Sequence, residues 1–161
     1  MPKLPPQALT AVLAVTIAAC ASAAPPPTRA PAPTGFVITT TLPNGAVDIT
    51  IATSYPLGRT ATIPVTVSAT RGTVAGPVTA RVLASGIGDA NVRSEVLVRD
   101  LTVTPVTAAA SSRASTALTW DTRDAKGTLV PADAYSLVLE VRSEDAGAVR
   151  TFTATATLDV H

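Results

Sequence analysis

Aromatic residues make up 3% of the 161-residue chain, and cysteine, histidine, methionine and tryptophan each occur once. One cysteine cannot form an intramolecular disulfide. One cysteine and one histidine together cannot supply a zinc site built from several such ligands, and they leave no Cys/His nucleophile pair once the cysteine is otherwise used. Charged residues are also scarce, at 14% with a formal net charge of +1. Loss of Lys3 with a leader would reduce 12 basic residues to 11, against 11 acidic ones. A near-neutral chain has no electrostatic footprint for nucleic acid and no polybasic patch for anionic lipid.

What remains is aliphatic and small. Hydrophobic residues reach 47%, carried by Ala and Val with abundant Thr beside them. Val and Thr are stiff at χ1 and favour pleated surfaces, so the composition leans toward strands.

The first 20 residues divide into three parts. Lys3 supplies a positive start, and Ala8–Ala19 is a 12-residue run of apolar and small side chains with two threonines. Such a run is too short to span a hydrocarbon core of about 30 Å as a helix. It fits the apolar region of a secretory signal peptide. The run ends in Ile17-Ala18-Ala19-Cys20, which resembles the lipobox of bacterial lipoproteins. The resemblance implies cleavage between Ala19 and Cys20 and a diacylglyceryl thioether on the Cys20 sulfur, with further acylation (palmitate) of the new amino group. An ordinary leader cleaved near Ala24, with Cys20 discarded, is the alternative. Two or three acyl chains, at roughly 0.8 kcal/mol per buried methylene, hold a protein on a membrane where one does not. Ala21 and Ser22 follow the cysteine, and neither is the Asp that commonly retains lipoproteins in an inner membrane. The expected location is the cell envelope: the outer membrane of a two-membrane cell, or the outer face of a single membrane.

Ala21–Thr34 has five prolines in 14 residues and no large apolar side chain. It cannot bury enough surface to fold and reads as a polyproline II tether, although a proline-rich ligand is the other possibility. At about 3.1 Å per residue it could hold a domain some 40 Å from the bilayer.

From Gly35 the hydrophobic period is two. Alternation runs through Ile63–Val67, Val78–Val82, Val96–Val98, Tyr135–Val141 and Phe152–Leu158. Turn signals lie between them, among them Pro43-Asn44-Gly45, Asp124-Ala125-Lys126-Gly127 and Glu144-Asp145-Ala146-Gly147. The pattern predicts one all-β domain over 35–161, an antiparallel immunoglobulin-like sandwich of seven to eight strands. Pro64 predicts an edge strand or a bulge. The turn near Ala146 predicts a terminal hairpin.

The most specific stretch runs from Trp120 to Tyr135, with Asp121, Asp124, Gly127, Val130 and Pro131 at fixed spacing. It resembles the hairpin W-D-x-x-D-x-x-G-x-x-V-P-x-G-x-Y of the BsuPI proteinase inhibitors and of the immunoglobulin-like domain of flagellar hook-capping proteins. The resemblance covers about 25 residues, Ala117 to Val141, and implies a β-sandwich. One departure is Asp133 where those families have glycine; Asp tolerates positive φ better than most residues.

No catalytic constellation emerges, and the chain is expected to be non-enzymatic and to need no cofactor. Ser85 in Leu83-Ala84-Ser85-Gly86-Ile87 lacks the first glycine of a nucleophile elbow. Gly86-Ile87-Gly88-Asp89-Ala90-Asn91 lacks the last glycine of a dinucleotide fingerprint and its strand–helix setting. Asp121 and Asp124 are poor calcium ligands because Arg123 stands where an oxygen donor is needed. They are better read as turn-forming side chains. Asp121 and Asp133 have nothing that places them at glycosidase spacing. Trp120 and Tyr135 read as core anchors rather than a sugar platform, and His161 as a frayed terminus. The expected function is a non-catalytic envelope module that binds an unidentified protein or polymer, or acts as a spacer. A BsuPI-like proteinase inhibitor, presenting Ala90–Ser94 or Pro105–Ser112, is one alternative. A cell-wall or carbohydrate-binding module is another.

Overall fold

A computed structural model describes residues 35–87 and 93–161, all within one compact unit, Ala32–His161. The leader, Ala19, Cys20, the tether and most of the Ala90–Ser94 loop lie outside the described residues.

No helix forms among the described residues. The strands are β1 (Gly35–Leu42), β2 (Gly45–Ala52), β3 (Ala61–Ala69), β4 (Thr73–Ile87), β5 (Arg93–Asp100), β6 (Val106–Ala109), β7 (Ser112–Trp120), β8 (Asp133–Asp145) and β9 (Ala148–Val160). One sheet has the order β1-β2-β3-β7; the other has β5-β4-β8-β9, with β6 also paired to β4. Every ladder is antiparallel, and the sheets pack as a β-sandwich consistent with an immunoglobulin-like arrangement.

The period-two pattern explains the interior. Ile63, Val65 and Val67 of β3 face inward and are fully buried, as are Leu137, Leu139 and Val141 of β8. Their polar neighbours Thr62, Thr66 and Glu140 take the outer face. Each fully buried Val, Leu or Ile contributes roughly 1.5–3 kcal/mol of transfer free energy. The terminal hairpin forms as expected. Ala146 (φ 51°) and Gly147 (φ 81°) both adopt the left-handed region, as a turn matched to strand twist requires.

Three expectations change. There are nine strands rather than seven or eight, because β6 is a four-residue strand inside the span read as an open Pro105–Ser112 loop. Pro64 lies in β3, a central strand, and not on an edge. Its missing N–H is tolerated because the β2–β3 ladder ends at Ile49↔Val65, leaving Pro64 to pair only with Ala117 of β7. In β5, the register to β4 slips between Val82 and Leu83, opposite Val98. The alternation of Val96 and Val98 therefore does not make a half-buried strand: Val96 and Leu97 are both about half exposed.

Among the described residues, the β1–β2 turn holds the polar side chain with the most hydrogen bonds. Asn44 is fully buried. Its Nδ2 donates to the carbonyls of Arg71 (3.1 Å), Thr73 (3.2 Å) and Glu144 (3.2 Å). Its Oδ1 accepts the Ser143 hydroxyl, and its backbone carbonyl accepts Thr70 N–H at 2.8 Å. One turn of the first sheet is thus clasped to β4 and β8 of the second.

Replacing Asn44 with Ala leaves several buried polar groups without partners, at about 1–3 kcal/mol for each such group. Asn44→Ala is therefore expected to lower unfolding free energy by at least about 2 kcal/mol in urea titration, and Ser143→Ala by less. Equal stability of Asn44→Ala and the parent would show that the clasp does not hold the sheets.

Candidate functional site

Within the domain, the segment from Trp120 to Tyr135 carries the most specific sequence pattern. Trp120 ends β7 in the first sheet, and Tyr135 begins β8 in the second. The segment is therefore not a hairpin within one sheet, as the resemblance suggested, but a connection between sheets. The reason is the inward direction of both rings. Trp120 is 1% exposed and Tyr135 3%. Their centroids stand 5.5 Å apart at 69°, the edge-to-face geometry that aromatic quadrupoles favour.

Each polar end of the pair is satisfied locally. Trp120 Nε1 donates to Arg123 O at 3.0 Å, and the Tyr135 hydroxyl donates to Pro131 O at 2.8 Å. The two aspartates organise the loop between. Asp121 Oδ1 accepts Arg123 N–H (3.2 Å) and Arg99 Nη1 (2.9 Å). Arg99 Nη1 also donates to Asp124 O at 3.3 Å. Asp124 Oδ1 accepts Lys126 N–H and Thr128 N–H, both at 2.9 Å. Gly127 supplies the φ of 82° that closes this turn, a conformation that glycine adopts without steric cost. The Arg123 guanidinium donates to Gly127 O at 2.7 Å.

Asp133 departs from the expectation of positive φ. It starts β8, and its Oδ1 accepts the N–H of Ala134 at 2.7 Å. The left-handed residue of this connection other than Gly127 is Thr122, with φ 54°. Sequence reading did not single it out, because β-branched residues are unfavourable there. Thr122 is fully buried. Its hydroxyl accepts Gly58 N–H and donates to Asp121 O, both at 2.8 Å. That bond joins the connection to the β2–β3 loop.

His161 is not frayed. Its N–H donates to Tyr55 O at 3.2 Å, and its carbonyl accepts Leu57 N–H at 3.1 Å. Ser85 lies on β4. Among the described residues, no three His, Cys, Asp or Glu side chains come together where they could hold a metal ion. Of the loops named for an inhibitor, Pro105–Ser112 folds into β6 and a tight turn that pairs with β4.

Two grooves flank the connection. One, about 190 Å³, is polar and includes Arg99, Asp100, Thr119 and Asp121. The other, about 580 Å³, runs between β5 and the connection and is walled by Leu97, Val98, Leu129, Pro131 and Tyr135.

Both tyrosine hydroxyls are shifted toward the neutral form. Burial raises the Tyr55 hydroxyl above its usual pKa, opposed by the hydrogen bond from Ala52. Burial also raises Tyr135, with a further push from the negative charge of Asp133. The unfolded chain therefore ionises first, near pH 10.

No protein-family model and no curated protein matches this chain.

The tyrosine stabilisation is complete below pH 10, and stability falls as pH rises above it, since the unfolded state then holds fewer protons. Thermal melts from pH 8 to 11.5 should show that fall, and Tyr135→Phe should flatten part of it; a flat profile in the parent contradicts the assignment. Thr122→Val keeps the branched side chain at φ 54° but removes the acceptor for Gly58, at an expected cost of about 1–3 kcal/mol in denaturant unfolding.

Proposed function

We propose that the protein is an exported bacterial lipoprotein, anchored through lipid on Cys20, whose β-sandwich serves as a non-catalytic binding or spacing module in the cell envelope. The observation that carries this reading is the order Lys3, apolar run, Ile17-Ala18-Ala19-Cys20, proline-rich segment and then a single domain. It makes sense of the lone cysteine, of the low charge and of a tether with no core. Envelope location, palmitate on the new amino terminus and membrane attachment all follow from that one motif.

The side chains of the Trp120–Tyr135 connection support a non-catalytic role for the domain. Asp121 and Asp124 are engaged with backbone amides and Arg99, so the residues that stood out in sequence are occupied with holding the fold. A proteinase inhibitor of BsuPI-like type remains the second reading, on the spacing of Trp120, Asp121, Asp124, Gly127, Pro131 and Tyr135 alone. It predicts dose-dependent inhibition in a panel of secreted proteases. A cell-wall polymer ligand predicts salt-insensitive pelleting with peptidoglycan.

The anchoring claim is tested in a bacterial host by fractionation and intact mass. The parent chain is expected in the membrane fraction with a mass showing loss of residues 1–19 and added acyl groups. Cys20→Ser is expected in the soluble fraction or unprocessed. A parent chain cleaved near Ala24 and free of lipid would end the lipoprotein reading.

A further inference from the structure

Exposed apolar side chains are unevenly placed on the sandwich. Among the described residues, large hydrophobics between 38% and 64% exposed are Phe36, Val37, Leu57, Val96, Leu97 and Leu129, with Val149 apart from them. The first six gather toward one end. Phe36 pairs with Ile51 at the start of β1, and the neighbouring Ala52 N–H donates to the Tyr55 hydroxyl. Leu57 N–H is bonded to His161 O just beyond β9. A Leu129 methyl lies beside Gly58, and Leu129 shares a groove with Leu97. Val96 pairs with Ala84, which pairs with Tyr135 near the start of β8. Val149 pairs with Glu144 at the opposite end of the same sheet.

The charges among these residues are mixed. Arg59 and Lys126 are exposed there, and so are Asp133 and Asp159. Such an end has no strong attraction to an anionic surface, but it offers apolar groups between charged ones. Scattered single hydrophobics on a surface need no explanation, whereas six of the seven at one end of the sandwich call for one.

The connection to the leader points to the occupant. Cys20 is 15 residues from Gly35, and the chain enters the domain at this same end, one residue before Phe36. We propose that this end of the domain rests on the lipid bilayer, with Phe36, Val37, Leu57 and Leu129 entering the boundary between headgroups and acyl chains. The inference rests on the lipoprotein reading and adds an orientation to it. A tether whose full extension is some 40 Å confines the domain to a thin layer over the membrane, which raises the effective concentration of these residues there, so a weak apolar contact suffices. Side chains at such a boundary sink about 5–10 Å. The outer faces of the sheets and the Asn44 end would then be turned to the aqueous side.

The test uses the full chain, purified with its lipid and reconstituted into phosphatidylcholine–phosphatidylglycerol vesicles containing acyl-brominated lipid. Acylation blocks Cys20, so a bimane label goes only to Leu57→Cys or, separately, Val149→Cys. The expected result is loss of fluorescence at position 57 and none at 149. Replacing Phe36, Val37 and Leu129 with Ser should restore the signal at 57 while the protein stays with the vesicles. Equal quenching at both positions in an anchored protein would overturn this inference alone. Shielding of position 57 that is independent of bromine, in a protein of dimer mass, would assign the patch to a second copy and also overturn it. A parent chain that itself takes the label at Cys20 would remove the anchor, and the orientation with it.

Discussion

Two sheets must be held face to face by an interior that contains very few large side chains, and most of the architecture follows from that constraint. The fully buried set is dominated by Val, Ile and Leu, with Trp120 the largest member. Val and Ile fill a pleated surface at little rotamer cost, but each covers a limited area. The sandwich therefore compensates with long ladders: β8 and β9 are paired along 13 residues each. Packing along so much strand places many modest contacts in one continuous core, which is how dispersion becomes large in sum.

An interior of this kind is most vulnerable where strands end, and the two ends are closed by different chemistry. At one end a fully buried Asn44 gathers carbonyls from the β3–β4 turn, β4 and β8. A satisfied polar side chain among apolar ones specifies register, because any slip leaves its donors unpaired. At the other end the Trp120–Tyr135 pair crosses between the sheets, and the loop between them is rigidified by Asp121 and Asp124. The partly exposed Arg99–Asp121 pair contributes little as an ion pair in water. Its value is positional, since the same guanidinium also holds Asp124 O.

This division bears on function. The residues with the most recognisable spacing are engaged in closing one end, Trp120 and Tyr135 by packing and Asp121 and Asp124 by hydrogen bonds. What that end leaves over is apolar surface around the same loop, in Leu57, Leu97 and Leu129. Under the proposed anchoring, the start of β1 would mark the near side of the domain, and the gathered apolar residues lie toward it. Binding surfaces for other components would then lie on the far end and the sheet faces.

Several features were legible from residues alone, because they depend on local steric and hydrophobic rules. The two-residue period, the glycine-bearing turns and the small aromatic count dictate strands, an all-β sandwich and the inward direction of Ile63, Leu137 and Trp120. The chemistry proposed for Cys20 likewise rests wholly on sequence order. Other features required the tertiary structure, because they depend on partners far away in the chain. That Asn44 is a clasp and not an exposed turn residue depends on Glu144, 100 positions later. Thr122 can occupy positive φ because Gly58, 64 residues earlier, donates to its hydroxyl. Pro64 can sit in a central strand because the β2 ladder stops one residue short of it. The gathering of Phe36, Leu57 and Leu129 at one end has the same origin: side-chain period sets which face a residue takes, but only the folding of the chain back on itself sets which residues share an end.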